Sequence, residues 1–463
     1  LYKQEAGKGA LNTDSTVVRS VKPDVARDTT LLVGTVSPGT YTLEIISMGQ
    51  ETLFLNRAAQ QIFGNIRVEE GKVSDLGRIV LAPVNDLVLS GRSAQVTSNV
   101  DLVKKYSPEN ASILSRPVES GWLSARSRED HAETYALRNP SWADAPVALK
   151  SGQIVAVSRF GSLLTRNDSG LWHAINSGGL DSFHAVIPVL DGVDGSNALA
   201  VAVGELNTIA RLDEFDKLTV LDAGDLPAGN ILNIAGNATV GWFVAHRQRD
   251  KIVVYHSKYL ERGTWQAVRT ENITHSFWPY QPSFWMWSSD AGFFYAVNDG
   301  RILFYEFATQ SWSERHVPKN HRLAAVAPNG KNISVLSSAG GEVLTSHAQV
   351  YVTFDGGVNW ELINLPLPAK YFAPSIVDDT TLLVAGKGKA SSNELQISKD
   401  RGKTWRIVNI QFNPLSKIVP LGNKGLLAIK SENFKSEVSI YHSMDSGNTW
   451  QQEYSNHVKA AAK

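Results

Sequence analysis

Beyond residue 143 the apolar residues of this chain come in short blocks rich in Val, Ile, Leu, Ala and Tyr, with polar turns between them. "IVAVSRF" (154–160), "TLLVAG" (381–386), "ELQIS" (394–398), "LLAIK" (426–430) and "EVSIYHS" (437–443) are examples. Blocks of this length and composition predict strands, and the 3.6-residue period of an amphipathic helix is almost absent here. The blocks recur in sets that end on one kind of turn. "TFDGGVNW", "SKDRGKTW" and "SMDSGNTW" place Asp355, Gly357 and Trp360, then Asp400, Gly402 and Trp405, then Asp445, Gly447 and Trp450, with 45 residues between successive copies.

Fainter copies precede these three. They end at Trp312, Trp265 and Trp172, the last with Asp168 and Gly170 each one residue nearer the tryptophan. Between Trp172 and Trp265 the phase falls near Leu218, where the tryptophan is lost. The period predicts seven units over residues 143–458, each of four short strands. That is an all-β fold, a seven-bladed β-propeller. The turn chemistry follows from folding alone. An Asp accepts hydrogen bonds from backbone N–H groups just beyond it, a Gly takes a positive φ, and a Trp buries its ring beneath the turn.

These turns resemble Asp-box (BNR) repeats, found in sialidases, certain glucanases and the photosystem II assembly-factor-like propellers. The resemblance implies that the boxes sit on the hairpin between the third and fourth strands, away from the functional face, so that their Asp residues are structural. Sialidases have six blades, an Arg-Ile-Pro motif, an arginine triad and a Tyr–Glu pair. Here Arg116-Pro117 lacks the Ile and precedes the first blade. The seven-bladed glucanases place carboxylates between two propellers, and this chain has length for one.

Upstream, residues 1–27 read as an N-terminal arm and 28–90 as alternating strands with Pro38-Gly39 and Glu70-Gly71 turns. "GTYTLEI … IRVEEGKVSDLGRIVL" resembles carboxypeptidase-regulatory-like, transthyretin-like β-sandwich modules, in which the tyrosine corresponding to Tyr41 packs into the core. A small antiparallel sandwich of another kind is the alternative. Residues 91–142 are polar and read as an extended connector, with two helical turns available in "NVDLVKKY" (99–106).

Composition narrows the function. Lys+Arg and Asp+Glu are both 45, so no global field recruits nucleic acid. Cysteine is absent, which removes disulfides, thiol nucleophiles and Cys-ligated metals. No apolar run is long enough to cross a membrane as a helix. Neither a phosphate-binding Gly-rich loop nor a Gly-x-Ser-x-Gly or His-Glu-x-x-His motif occurs, and the 11 His lack ligand spacing. No catalytic residue, metal or cofactor is assigned. Glu205, Glu342 and Asp378–Asp379 read as turn residues, and His256 and His442 as packing.

Propellers of this kind bind through the second-to-third and fourth-to-first loops. Those loops carry a basic trend: Arg159, Arg247, Arg249, Lys387, Lys389, Lys430 and Lys435. The segment "THSFWPYQPSFWMW" (274–287) adds Trp278 and Tyr280 as surface anchors, with Trp285 and Trp287 assigned to the core. The expectation is a non-catalytic extracytoplasmic scaffold, in the periplasm or at the cell surface, that holds another protein of an envelope or membrane complex. Its first residue, Leu1, suggests a processed N-terminus and a lipid anchor as one route to the membrane. The alternative is a glycan-binding protein or glycoside hydrolase of the same propeller type.

Overall fold

The structure is a computed structural model that describes residues 2–3, 18, 20–22, 26–48, 51–84, 87–95, 99–189, 197–248, 251–272, 284–338, 349–366, 373–387, 393–410, 412, 417–431 and 437–456. The chain divides into two units. One is Leu1–Ser141 with residues 434–436 and 458–463, and the other is Trp142–Asn433 with Glu437–His457.

The larger unit is a seven-bladed β-propeller: among the described residues it forms seven four-stranded antiparallel sheets, each of four consecutive strands. Blade 1 runs from Asp144–Ala148 to Trp172–Asn176, blade 2 from Phe183–Pro188 to Leu218–Leu221, and blade 3 from Asn230–Asn237 to Gln266–Asn272. Blade 4 runs from Phe284–Ser289 to Ser311–His316 and blade 5 from Arg322–Asn329 to Glu361–Ile363. Blade 6 spans Ser375–Ile376 to Arg406–Asn409 and blade 7 spans Lys417–Pro420 to Gln451–Ser455. The tryptophan phase holds. Trp172, Leu218 and Trp312 lie within the first two residues of their fourth strands, and Trp265, Trp360, Trp405 and Trp450 immediately precede theirs.

Burial explains why the strands read as runs. Second strands lie in mid-sheet with a neighbouring blade on each face, so Ile154–Val157 and Gly292–Val297 are buried at every position. A strand covered on both sides has no polar side to alternate with. Fourth strands form the rim, and Gln266–Asn272 and Ser311–His316 are largely exposed and polar. The apolar core is accordingly seven separate interfaces, one between each pair of adjacent blades. Ile231 with Val203 joins blades 2 and 3, for example, and Phe243 with Phe293 joins blades 3 and 4.

The inner strands are edges, and their unpaired carbonyls need partners. Side chains of the preceding blade supply them. Asn233 Nδ2 donates to Met286 O (2.7 Å), Asn329 Nδ2 to Ile376 O (3.0 Å) and Ser375 Oγ to Ile418 O (2.7 Å). A β-bulge interrupts the inner strands of blades 1, 2, 3 and 5, and bulges of this kind re-aim side chains.

Ring closure joins blade 7 to blade 1 through side chains. Leu427, Ile429 and Ile440 pack on Ile154, Ala156 and Leu164. Beside them Arg166 Nε and Nη2 grip the two oxygens of Glu453, both at 2.7 Å. Trp172 Nε1 donates to the same carboxylate at 3.1 Å, and His442 Nδ1 lies 2.9 Å from it. His442, expected as a packing residue, is therefore part of the closure. Its strand position aims the ring at the outermost strand of its own blade, where Glu453 waits.

The smaller unit departs from expectation in three ways. Residues 91–142 are not an extended connector. Besides the helix Val100–Tyr106, where two helical turns were expected, they hold the helix Ala132–Arg138 and the strand Val118–Ser120, which pairs in parallel with Val73–Asp75. Buried carboxylates fasten them: Asp130 accepts from Arg92 N (2.7 Å) and Glu133 from Ser93 Oγ (2.8 Å). The stretch 28–90 is not strands alone, because "RAAQQIF" forms a helix, Arg57–Phe63, capped by Asn56. Around it stand the sheet Tyr2–Lys3, Gly39–Thr42 and Asn65–Val68 and three two-stranded antiparallel pairs, Ser20–Lys22 with Leu31–Leu32, Ile45–Met48 with Glu51–Phe54, and Ile79–Val84 with Leu87–Arg92. The first strand of that sheet pairs with the second, Tyr2 opposite Thr42 and Lys3 opposite Tyr41, so part of the expected arm belongs to the sheet. Tyr41 is fully buried with Phe63 and Ile66, and its hydroxyl donates to Ser37 O.

Burial pushes the Glu453 carboxyl up, but the bonds from His442, Arg166 and Trp172 outweigh it and hold it at about 2. A carboxylate depressed in the folded state stabilises fully above its ordinary pKa and loses that contribution as pH falls toward the depressed value. Glu453→Gln is therefore expected to lower Tm near pH 7, with a cost of about 3 kcal/mol for a buried pair that loses one partner. The difference from the parent should shrink between about pH 4.5 and 2. Thermal unfolding of both proteins across that range checks it, and a difference independent of pH would contradict the closure.

Candidate protein-binding face

Four consecutive antiparallel strands per blade put the first-to-second and third-to-fourth hairpins on one side of the disc. The second-to-third turns and the links between blades lie on the other. The Asp turns occupy the first side. In blade 6, Ser398 Oγ donates to Asp400 Oδ1 (2.8 Å) and accepts from Gly402 N (2.7 Å). Asp400 also accepts from Thr404 N and Thr404 Oγ1, at 2.8 and 2.6 Å. Trp405 Nε1 donates to Gly402 O at 3.0 Å, which closes the turn over the ring. Blades 5 and 7 repeat the pattern with Thr353, Asp355, Gly357 and Trp360, and with Ser443, Asp445, Gly447 and Trp450. The hydrogen bonds to Asp400, from Thr404 foremost and then Ser398, lower its carboxyl to about 2. Burial raises Asp355, yet its bonds from Asn359, Thr353 and Val358 bring it to about 2 as well. These carboxylates are committed to their own turns.

Blade 1 uses a neighbouring residue. Asn167 Oδ1 accepts from Leu171 N at 3.0 Å, the same four-residue step as Asp400 to Thr404, and Trp172 follows at the same distance in sequence. Asn167 thus holds the position that spacing had given to Asp168, whose charge instead acts on Arg166. Gly170 keeps a positive φ of 84°. In blade 2 the same role falls to Asp213, which accepts from Lys217 N at 2.9 Å just ahead of Leu218.

The opposite side carries the residues singled out for binding. Arg159 is half-buried in the turn of blade 1, and Arg247 is exposed at the end of the second strand of blade 3. Lys430 lies at the matching end in blade 7, with Glu437 at 3.2 Å. Lys387 ends the second strand of blade 6. Arg249, Trp278, Tyr280, Lys389 and Lys435, and the side chain of Lys387, lie outside the described residues. Trp287 is in the core as expected, stacked on Phe294 with its indole donating to Gly330 O.

Acids interleave with these cations. Glu271 accepts from Tyr295 OH (2.6 Å) and pairs with Arg301 (2.7 Å), which also holds Asp299 (2.8 Å). Burial, then the bond to Glu271, pushes the Tyr295 hydroxyl well above its usual range. Asp144 meets Lys417 at 2.9 Å. Among the described residues the rim is a mixed array with its own ion pairs, where the spacing of Lys and Arg had suggested a basic one.

Sequence reasoning passed over one cluster on this side. Glu205, read as an ordinary turn residue, is fully buried, with His184 Nε2 4.0 Å from its carboxylate. His184 is the extra residue of the blade 2 bulge. Its Nδ1 lies 2.9 Å from Ile231 O, so that nitrogen carries the proton. The turn places Leu206 and Asn207 at φ 53° and 64°, a conformation that costs free energy in residues with a Cβ. Asn230 holds it by accepting from Leu206 N (3.0 Å), and Asn207 bonds His246 (2.8 Å) and Pro227 O (2.7 Å). The available signal was a Glu directly after a wholly apolar strand, Ala198–Gly204.

Two groups imitate catalytic sets and do not work as such. Thr165 Oγ1 lies 3.3 and 3.0 Å from the Nδ1 and Nε2 of His173, and Asp216 lies 3.2 Å from Nε2, so the hydroxyl and the carboxylate share Nε2 instead of taking one nitrogen each as a relay does. Thr165 is also fully buried. Asp378 accepts from Thr380 N and Thr381 N, both at 2.8 Å, as a turn residue does. Among the described residues no group of three or more His, Asp or Glu is placed to hold a metal ion.

These features define a seven-bladed propeller with a rigid turn side and a polar loop side. Solved structures similar in fold include YCF48 bound to D1 peptide, at 16% identity over 66% of this chain and 95% of that one, with a TM-score of 0.45. YCF48 from Cyanidioschyzon merolae is similar at 14% identity over 66% and 96%, with a TM-score of 0.46. Likenesses this distant concern the fold and do not decide function. No family model matches the chain, and no curated protein matches it.

If the Asp turns only fasten hairpins, Asp445→Ala lowers Tm by a few degrees. Gly447→Ala lowers it further, because a Cβ there sits 2.6 Å from Leu383 Cδ2 at φ +87°. Scanning calorimetry checks both, and partner binding should stay at the parent level.

Proposed function

We propose that the propeller is a non-catalytic scaffold that holds a segment of another protein across its loop side. The observation that carries this is the commitment of the charged groups there. Glu271, Asp299, Asp144 and Glu437 are each paired with a cation, and Glu205 is sealed beside His184. Glycoside hydrolysis needs two carboxylates that converge on one bond with room for a sugar between them. Groups tied into such pairs, two of them between blades (Glu271–Arg301 and Asp144–Lys417), suit recognition instead. They present a fixed polar surface whose donors and acceptors do not have to rearrange on binding.

The three turns of blades 5 to 7 are read as Asp boxes of the BNR type. The repeated Ser/Thr–Asp–Gly–Trp hydrogen bonding supports that reading. Residues 28–90 are read as a divergent transthyretin-like module, supported by the buried Tyr41 in the Gly39–Thr42 strand. An extracytoplasmic location and a partner from an envelope or membrane complex follow from the resemblance alone. Arg159, Arg247 and Lys430 belong to the proposed contact surface, and Arg249, Trp278, Tyr280, Lys387, Lys389 and Lys435 are assigned to it by sequence.

Site-specific photo-crosslinkers at Arg247 and Lys251 on the loop side, and at Leu171 and Met444 on the turn side, test the assignment in cells. Adducts to a discrete protein are expected from the first pair only, and adducts confined to the second pair would overturn it. Arg247→Glu is expected to slow association while leaving Tm unchanged, because an exposed rim charge acts mainly on encounter.

A further inference from the structure

In the smaller unit one side of the helix Arg57–Phe63 opens on a cleft of about 410 Å³. Arg57, Gln60 and Gln61 stand at i, i+3 and i+4 and so share a side of the helix. Facing them are Asn65 and Thr42, directly opposite each other on paired strands, and Ser124. Leu123, half exposed, supplies an apolar wall.

The cleft is built rigidly. Leu123 N donates to Asn65 O (2.9 Å), and Arg92 Nη1 donates to Ser124 O (3.1 Å). Gly64 ends the helix at φ 78°, and a Cβ there would lie 2.4 Å from Ser124 Oγ. Only glycine lets the helix end approach that wall.

The lining has a marked chemistry. It contains no carboxylate and one cation, Arg57. Three carboxamides and two hydroxyls line it; Gln60 Nε2 already donates to Leu55 O (2.9 Å) and Thr42 Oγ1 to Asn65 Oδ1 (3.4 Å), and an amide still carries a second N–H and further lone pairs. Among the described residues the side chains of Arg57, Gln61 and Ser124 have no hydrogen-bond partner in the protein. A volume of this size matches a small ligand. A single guanidinium suits one planar carboxylate, while a phosphate dianion would call for more positive charge. Paired amides suit vicinal hydroxyls, and an aliphatic wall suits the C–H face of a sugar ring.

We propose that this cleft binds an acidic saccharide, with its carboxylate on Arg57 and its hydroxyls on Gln60, Gln61, Asn65 and Ser124. The propeller's own partner does not enter this assignment. Titration calorimetry on the full chain with a galacturonate trisaccharide tests it, with maltotriose and a short peptide bearing a free C-terminal carboxylate alongside. The acidic sugar is expected to bind. Arg57→Met should weaken it by at least about tenfold, as loss of a charge-assisted pair does. Ser124→Val should weaken it less, and both variants should keep the parent Tm because both side chains are exposed. Absence of binding by the acidic sugar overturns the proposal, as does equal affinity for maltotriose or an Arg57→Met variant that binds unchanged. Preference for the peptide would identify a carboxylate-terminus site and overturn it too.

Discussion

A ring of separate sheets exists only if its last interface holds as well as the others, and here that interface joins blade 7 to blade 1. Neighbouring blades elsewhere are tied by the chain that runs between them. Blades 7 and 1 are joined by packing, by the Arg166–Glu453 cluster and by the Asp144–Lys417 pair, because every sheet is made of four consecutive strands and none is shared across the gap. Arg166 alone would bring a desolvated charge into that seam. Glu453 answers it with both oxygens, and Trp172 and His442 take up the remaining directions. A buried pair satisfied on all sides specifies one register of closure, since a slip of one residue would leave both charges unpaired.

Closure also separates the two sides of the disc in purpose. On the turn side the side-chain hydroxyl, the Asp and the Trp of each box spend their hydrogen-bonding capacity on their own hairpin. The glycine then packs against the preceding blade: Gly402 faces Ile363 of blade 5, and Gly447 faces Leu383 of blade 6. The boxes thus add to the ring contacts as well as to their turns. The loop side has no repeated motif, so its residues are free to differ from blade to blade. That freedom is where a binding surface can arise on a repeat fold.

The parts of the molecule that sequence reveals are those that repeat. Period, strand count per blade and the positions of the six tryptophans follow from the spacing, because every blade solves the same burial problem. Asn167 and Asp213 escaped because an amide or a differently placed carboxylate meets the same backbone donors without the consensus letters. Glu205 and the Glu453–His442 pair escaped for another reason. Their partners lie in other strands or blades, and nothing local marks a charged residue as buried. The helix Arg57–Phe63 lay within a stretch read by alternation, although Asn56 and Gly64 at its ends are ordinary cap residues. The segment 91–142 looked extended because its polar residues suggested solvent, whereas Asp130 and Glu133 point inward to backbone donors.

The loop side's charge pattern bears on what kind of partner it selects. A rim of cations alone would attract any acidic chain, with an affinity that fades as salt rises. Here three of the described cations stand beside acids: Arg301 between Glu271 and Asp299, Lys417 beside Asp144, and Lys430 beside Glu437. Such pairs add little field of their own, so encounter is steered by exposed charges such as Arg247, and the pairs offer fixed donors and acceptors at short range. Specificity then comes from matching hydrogen bonds that are left unmet by a wrong partner, a penalty of about 1–3 kcal/mol for each buried group. Glu205 and its strained turn add to that rigidity, because a conformation held by Asn230, Asn207 and His246 resists collapse toward a mismatched surface. Pairing on the rim therefore exchanges range for discrimination, as the proposed scaffold role would require.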